Sequence, residues 1–124
     1  MHKFRDPHKD TVPPRATAHD VISAACRVGS IPTGTLLNRT KKPSRRVAIL
    51  VRLRAACAWI MREDFRDGDR PLLSLSEIAA HLGYSDHTTV FHHLRTTCKR
   101  PATRDLIETI RAEMWSLASA AEAM

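Results

Sequence analysis

The sequence predicts an all-α domain of several short helices, and three observations carry that prediction. Only four glycines occur in 124 residues, too few for a fold that depends on many tight β-turns. No segment alternates apolar and polar residues with period two for long enough to specify a strand. Apolar residues instead recur at three- and four-residue steps, most clearly from Val47 onward.

Taken in order, residues 1–15 hold Pro7, Pro13 and Pro14 with scattered charges and little apolar content. They read as a flexible basic arm ahead of one domain over residues 16–122. Thr17 is placed to cap a helix through Val21, Ile22, Ala25 and Cys26, with Gly29 as its stop. Residues 30–46 contain Pro32, Gly34 and Pro43 and read as a loop with one short turn near Thr35 to Leu37. From Arg46 a helix is expected, with Val47, Leu50, Val51, Cys57, Ala58 and Met61 as its apolar stripe. Arg54 falls on the period of that stripe, so it either snorkels out or is aimed at something.

Residues 64–71 are turn chemistry and end this helix. Their aspartates lack the order and the closing Glu of a calcium loop. Ser74-Leu75-Ser76-Glu77 is a capping box, Ser74 and Glu77 each satisfying a backbone donor near the other. The short helix it opens turns Leu75, Ile78, Ala79 and Leu82 inward and halts at Gly83. A further helix is expected from Asp86 through Val90, Phe91 and Leu94 to about Lys99, broken by Pro101. A last helix over about 103–121 presents Leu106, Ile110, Met114 and Leu117, and either extends the core or docks a partner.

Charge narrows the function. Twenty Lys and Arg oppose thirteen Asp and Glu, for a net charge of +7. No acidic residue lies between Asp20 and Glu63, whereas Arg27, Arg39, Lys41, Lys42, Arg45, Arg46, Arg52, Arg54 and Arg62 do. So one-sided a stretch is the mark of a polyanion partner, the bland alternative being a basic face that aids solubility. Cys26, Cys57 and Cys98 are widely spaced and suit free thiols in a reducing compartment. No apolar run approaches the roughly 20 residues of a membrane span, and the first residues lack the apolar core of a secretory signal. The expected location is cytoplasmic.

Two short helices around Gly83-Tyr84-Ser85 have the form of a helix-turn-helix. Gly83 allows the left-handed backbone that ends the first helix, and small Ala79 and Ala80 let the pair cross closely. The second helix is narrow enough for the major groove of B-DNA. Its first turn would bring Asp86, His87, Thr88 and Thr89 to the base edges, with the positive end of the helix dipole toward DNA. A carboxylate at Asp86 can accept from a cytosine amino group, and Asp86 can also cap its own helix. Thr88 can meet a thymine methyl or a base acceptor. The bland alternative is a polar helix start in a helix pair packed only for stability.

At these residues the chain resembles a known family. Leu75-Ser76-Glu77-Ile78, then Leu82-Gly83-Tyr84-Ser85-Asp86-His87-Thr88-Thr89-Val90 and Arg95, is similar to the C-terminal DNA-binding domain (domain IV) of the bacterial replication initiator DnaA. Upstream, His19-Asp20-Val21-Ile22 resembles the first helix of that domain. Leu36-Leu37-Asn38-Arg39-Thr40-Lys41-Lys42 resembles its basic loop, and Arg54-Ala55-Ala56-Cys57-Ala58 its long helix. The likeness runs from about residue 17 to 115 and implies a Trp-repressor-like fold. It also implies base reading by Asp86, His87 and Thr88 in the major groove and by Arg54 in the adjoining minor groove. Arg45, Arg62, Leu75, Ser76 and Thr89 match positions near the phosphate backbone, with Lys41 and Lys42 as looser candidates. Arg46, in the same basic run, and His92 join them as candidate phosphate contacts. The implied partner is double-stranded DNA, at sites resembling TTATCCACA.

Departures are equally informative. No Gly-x-x-x-x-Gly-Lys-Ser/Thr loop is present, hence no ATPase domain and no origin melting of the initiator's kind. Tyr84 stands where the family commonly has glycine, and the connection from Arg62 to Leu73 is longer than usual. Four histidines, His81, His87, His92 and His93, gather in sequence, but their spacing does not suit zinc, and no cofactor is expected. His92 or His93 is expected on a phosphate or in solvent. Trp59 and Trp115 have core-like spacing. Enzyme motifs are absent.

The expected function is therefore sequence-specific binding of duplex DNA, regulating transcription or replication by occupancy in the cytoplasm at the nucleoid. The rival from another class is a protein-interaction module that binds a replication or transcription protein, the last helix being one surface for it.

Overall fold

Thr17 opens the first helix of the computed structural model, which describes residues 11–37 and 47–122. The Thr17 hydroxyl accepts the Asp20 N–H at 3.2 Å, and the Asp20 carboxylate accepts the Thr17 N–H at 2.8 Å. This reciprocal box starts α1 (Ala18–Gly29). The helix runs one residue past the expected stop. Ser30 takes the left-handed conformation (φ 52°) that ends it, and the Ile31 N–H reaches back to the Cys26 carbonyl. Gly29 is buried, and a Cβ there would stand 2.5 Å from Leu53 Cδ1. Its small size serves close packing of α1 on the third helix rather than termination.

A single helical turn, α2 (Thr33–Leu36), buries Leu36 and, just after it, Leu37. The long α3 (Val47–Glu63) is the centre of the molecule. Leu53, Ala55, Ala56, Cys57, Ala58, Ile60 and Met61 are buried on it in close succession, because the other helices pack around it from several sides. The small residues Ala55, Ala56, Cys57 and Ala58, consecutive and so spread around the helix, allow that approach. Its C-terminal end is tied to the last helix through Asp64. Arg111 donates Nε to Oδ2 at 2.8 Å and Nη2 to Oδ1 at 2.7 Å, a bidentate pair with both side chains largely buried. Burial holds the Asp64 carboxyl above its ordinary pKa, with Arg111 pulling the other way.

The expected turn over 64–71 closes as a minimal antiparallel hairpin. β1 (Arg66–Asp67) pairs with β2 (Arg70–Pro71), and Gly68 supplies the positive φ, 62°, that the turn requires. Two residues per strand fall below any alternation a sequence pattern can register. The structure is mostly helical with this one small sheet among the described residues.

α4 (Leu75–Leu82) begins with the expected box: the Ser74 oxygen accepts the Glu77 N–H and the Glu77 carboxylate accepts the Ser74 N–H, both at 3.1 Å. α5 (Thr88–Arg95) starts two residues later than expected and gives way to a 3₁₀ turn over Thr97–Lys99. Pro101 begins α6 (Pro101–Glu122) rather than merely ending its predecessor, since a first helical residue needs no N–H. Ile107, Ile110 and Met114 of α6 are buried. Thr11 to Arg15, read from sequence as the end of the arm, lie against α6: the Trp115 indole donates to the Thr11 carbonyl at 2.9 Å, and Pro13 is buried. Trp59 is half-buried with the Arg104 guanidinium 4.4 Å above its ring.

All three cysteines are free, Cys57 and Cys98 fully buried. The Cys98 thiol donates to the Ala55 carbonyl, and burial pushes its pKa up to about 12, so it packs rather than reacts. Among the described residues no helix is long and apolar enough to cross a membrane.

Candidate nucleic-acid interface

Gly83 fixes the geometry between α4 and α5. It ends α4 in the left-handed conformation (φ 80°), and any Cβ there would collide with the Leu37 carbonyl oxygen. The turn after α4 is therefore seated directly on the chain leaving α2. Tyr84 is half-buried, and its hydroxyl lies 2.9 Å from His93 Nε2. The phenol bridges the turn to the inner face of α5.

Arg54 reaches the same junction from α3. Its Nε donates to the Leu36 carbonyl at 2.6 Å and its Nη2 to the Thr35 carbonyl at 2.9 Å. Its guanidinium also stands beside Tyr84, opposing the upward shift that burial imposes on the phenol. The charge on an otherwise apolar stripe is thus aimed at the last carbonyls of α2, where a cation complements the helix terminus. Arg54 is half-buried.

His93 is 4% exposed, on the inner face of α5. Burial, His92 and Arg54 together push its pKa down to about 4, so the ring is neutral at pH 7. No partner reaches its Nδ1 among the described residues. Of the two histidines, one of which was expected on a phosphate or in solvent, His92 is exposed and His93 is buried.

The remaining candidates separate into three groups. Asp86, His87, Thr88 and Thr89 are all exposed at the start of α5. Asp86 Oδ1 accepts the Thr88 N–H, and hydrogen bonding from the Thr88 side chain and then from its N–H holds the carboxyl below its ordinary pKa. His87 Nδ1 is 4.0 Å from the same oxygen. Along the edge of α4, Ser76 is exposed and Leu75 half-buried, while the half-buried Arg62 spends Nη1 on the Leu73 carbonyl at 2.8 Å and so braces the entry to α4. Lys41, Lys42, Arg45 and Arg46 lie outside the described residues.

Phe91, expected from sequence only to lie along this helix, points outward: it is 46% exposed, with the Arg95 guanidinium 5.3 Å from its ring centroid. Val90 and His93 carry the inner face instead. Thr88, Phe91, His92 and Arg95 share the outer face at helical spacing, and with Thr96 and Lys99 they line a shallow groove of about 340 Å³. Arg95, Thr96 and Lys99 are additions to the candidate set, legible in principle from their three- and four-residue steps after Thr88 and His92. The surface so formed combines two hydroxyls, one imidazole and two cations with one phenyl ring. Among the described residues no three His, Cys, Asp or Glu side chains come together in a way that could hold a metal. No protein-family model, curated protein or solved structure matches this chain.

Proposed function

We propose that α4 and α5 act as a helix-turn-helix that binds double-stranded DNA sequence-specifically, with α5 in the major groove. The observation that carries this reading is the division of α5 into two faces. Val90 and His93 anchor it inward, while Asp86, His87, Thr88, Thr89 and His92 stand exposed at and after its start. Exposed hydroxyl, imidazole and carboxylate groups on a helix end are the groups that read base edges. The likeness of this same segment to the DNA-binding domain of DnaA supports the assignment, as does the net charge of +7.

In this reading Asp86, His87 and Thr88 read bases, and Ser76, Thr89 and His92 meet the phosphate backbone. Lys41, Lys42, Arg45 and Arg46, outside the described residues, supply further cations. Arg54 takes the role of a post: it holds the end of α2 against the turn, and any minor-groove contact is made by a guanidinium already anchored there. The chain acts by occupancy, as a regulator of transcription or replication.

The test is selection of duplexes from a random pool, followed by titration of Thr88→Ala. The substitution is expected to cost about 1–3 kcal/mol on the selected duplex and little on random duplex. An equal loss on both removes Thr88 from the reading group. A second reading, a protein-docking module, draws on Leu72, which is 58% exposed beside Phe65 and Leu73 in an apolar hollow. Failure to enrich any duplex at low salt favours it.

A further inference from the structure

We infer that Phe91 is a specificity-determining residue whose ring meets the 5-methyl group of a thymine. This rests on the DNA-binding reading above and extends the reading surface one turn along α5. A large apolar side chain left in water forfeits the stabilisation that burial would bring, so an exposed one asks for an explanation. Leu72 and Phe91 are the large hydrophobic residues found exposed among the described residues. Phe91 alone of the two sits on α5.

Its surroundings narrow what the ring can meet. It lies three residues after Thr88 and four before Arg95, on the face those residues share. The groove around it is otherwise lined by Thr88, His92, Arg95, Thr96 and Lys99, all polar or basic, and suited to phosphates and to base donors and acceptors. Arg95 covers part of the ring as a cation against its π-face. That contact holds the aromatic group in place and sets a positive charge beside it. What remains is a rigid apolar edge in a cationic groove. Within a major groove of unmodified DNA, the apolar feature a base edge offers is the thymine 5-methyl. No polar base edge rewards a phenyl ring in that way.

The experiment removes that methyl and nothing else. A duplex selected from a random pool by the wild-type chain is resynthesised with each thymine replaced in turn by deoxyuridine. Dissociation constants are then measured for wild type, Phe91→Ala and Phe91→Leu. For wild type, loss of one methyl is expected to weaken binding about fourfold at one or two positions. Phe91→Ala should bind the unmodified duplex more weakly and be indifferent to the replacement at those positions, whereas Phe91→Leu should keep part of the discrimination. Circular dichroism of each variant verifies that the helices are retained, as expected for a half-exposed side chain. Wild type indifferent to every replacement, or Phe91→Ala as sensitive as wild type, overturns the assignment while leaving DNA binding intact. A pool from which no duplex is enriched overturns the DNA-binding reading itself, and this assignment with it.

Discussion

Arg54 Nε donates to the Leu36 carbonyl at 2.6 Å, joining the central helix to the turn on which Gly83 is seated. One side chain thereby relates three elements that are distant in sequence. It contacts the end of α2, belongs to α3, and stands beside Tyr84, whose hydroxyl meets His93 on α5. The junction thus meets α5 at His93, beside the core contact made by Val90.

Replacing Arg54 should therefore lower stability as well as binding. Arg54→Ala removes a charged donor from two carbonyls and is expected to cost about 2–3 kcal/mol in urea unfolding. Arg54→Lys should recover only part of this, because an ammonium cannot reproduce the guanidinium fork. An Arg54→Ala unfolding midpoint equal to wild type would show that the anchor is dispensable.

Two glycines give opposite expectations for one substitution. At Gly83 alanine is penalised by its positive φ and by the Leu37 carbonyl, so Gly83→Ala should destabilise by at least about 1–2 kcal/mol. Gly34 lies in α2 with nothing within 4 Å of a built Cβ. Gly34→Ala should stabilise by about 0.4–1 kcal/mol, through the unfolded chain and helix propensity. Thermal melts of the two variants compare them directly; a neutral Gly83→Ala contradicts the packing described.

His93 makes stability depend on pH. Its pKa falls from 6.5 to about 4 on folding, so between these values the unfolded chain binds a proton that the folded chain does not. The stabilising contribution is thus complete above pH 6.5 and is lost as the pH falls toward 4. The groups facing the ring are Tyr84 from the turn, Arg54 from α3 and neighbouring His92. Across this window the unfolding free energy should fall by about 3 kcal/mol in total. His93→Phe should flatten that dependence, and an unchanged slope in the variant would place its origin elsewhere.

What could be read from sequence was mostly local. The boxes at Thr17–Asp20 and Ser74–Glu77 join residues three apart, so their pattern is complete within one turn of chain. Gly83 likewise showed its role, since a left-handed helix end favours glycine. Gly29 did not: glycine is also used where helices touch, and the contact with Leu53 is invisible before α1 and α3 are docked. Arg54 stood out as misplaced on its stripe, but its partners lie eighteen and nineteen residues away. Which of Phe91, His92 and His93 faces inward was not legible, because a short helix with aromatic and imidazole groups on several sides has no single reading of its inner face. Val90 and the Tyr84 hydroxyl decide it through tertiary contacts.

Binding to duplex DNA as a function of salt tests the proposed interface most directly. The selected duplex and a scrambled version of it are titrated with the full chain between about 50 and 200 mM salt. If about six phosphates are contacted, affinity for the selected duplex should fall by about a thousandfold across that range, with the selected sequence preferred throughout. Equal affinity for the two sequences, or no binding to either at 50 mM, would contradict a base-reading α5.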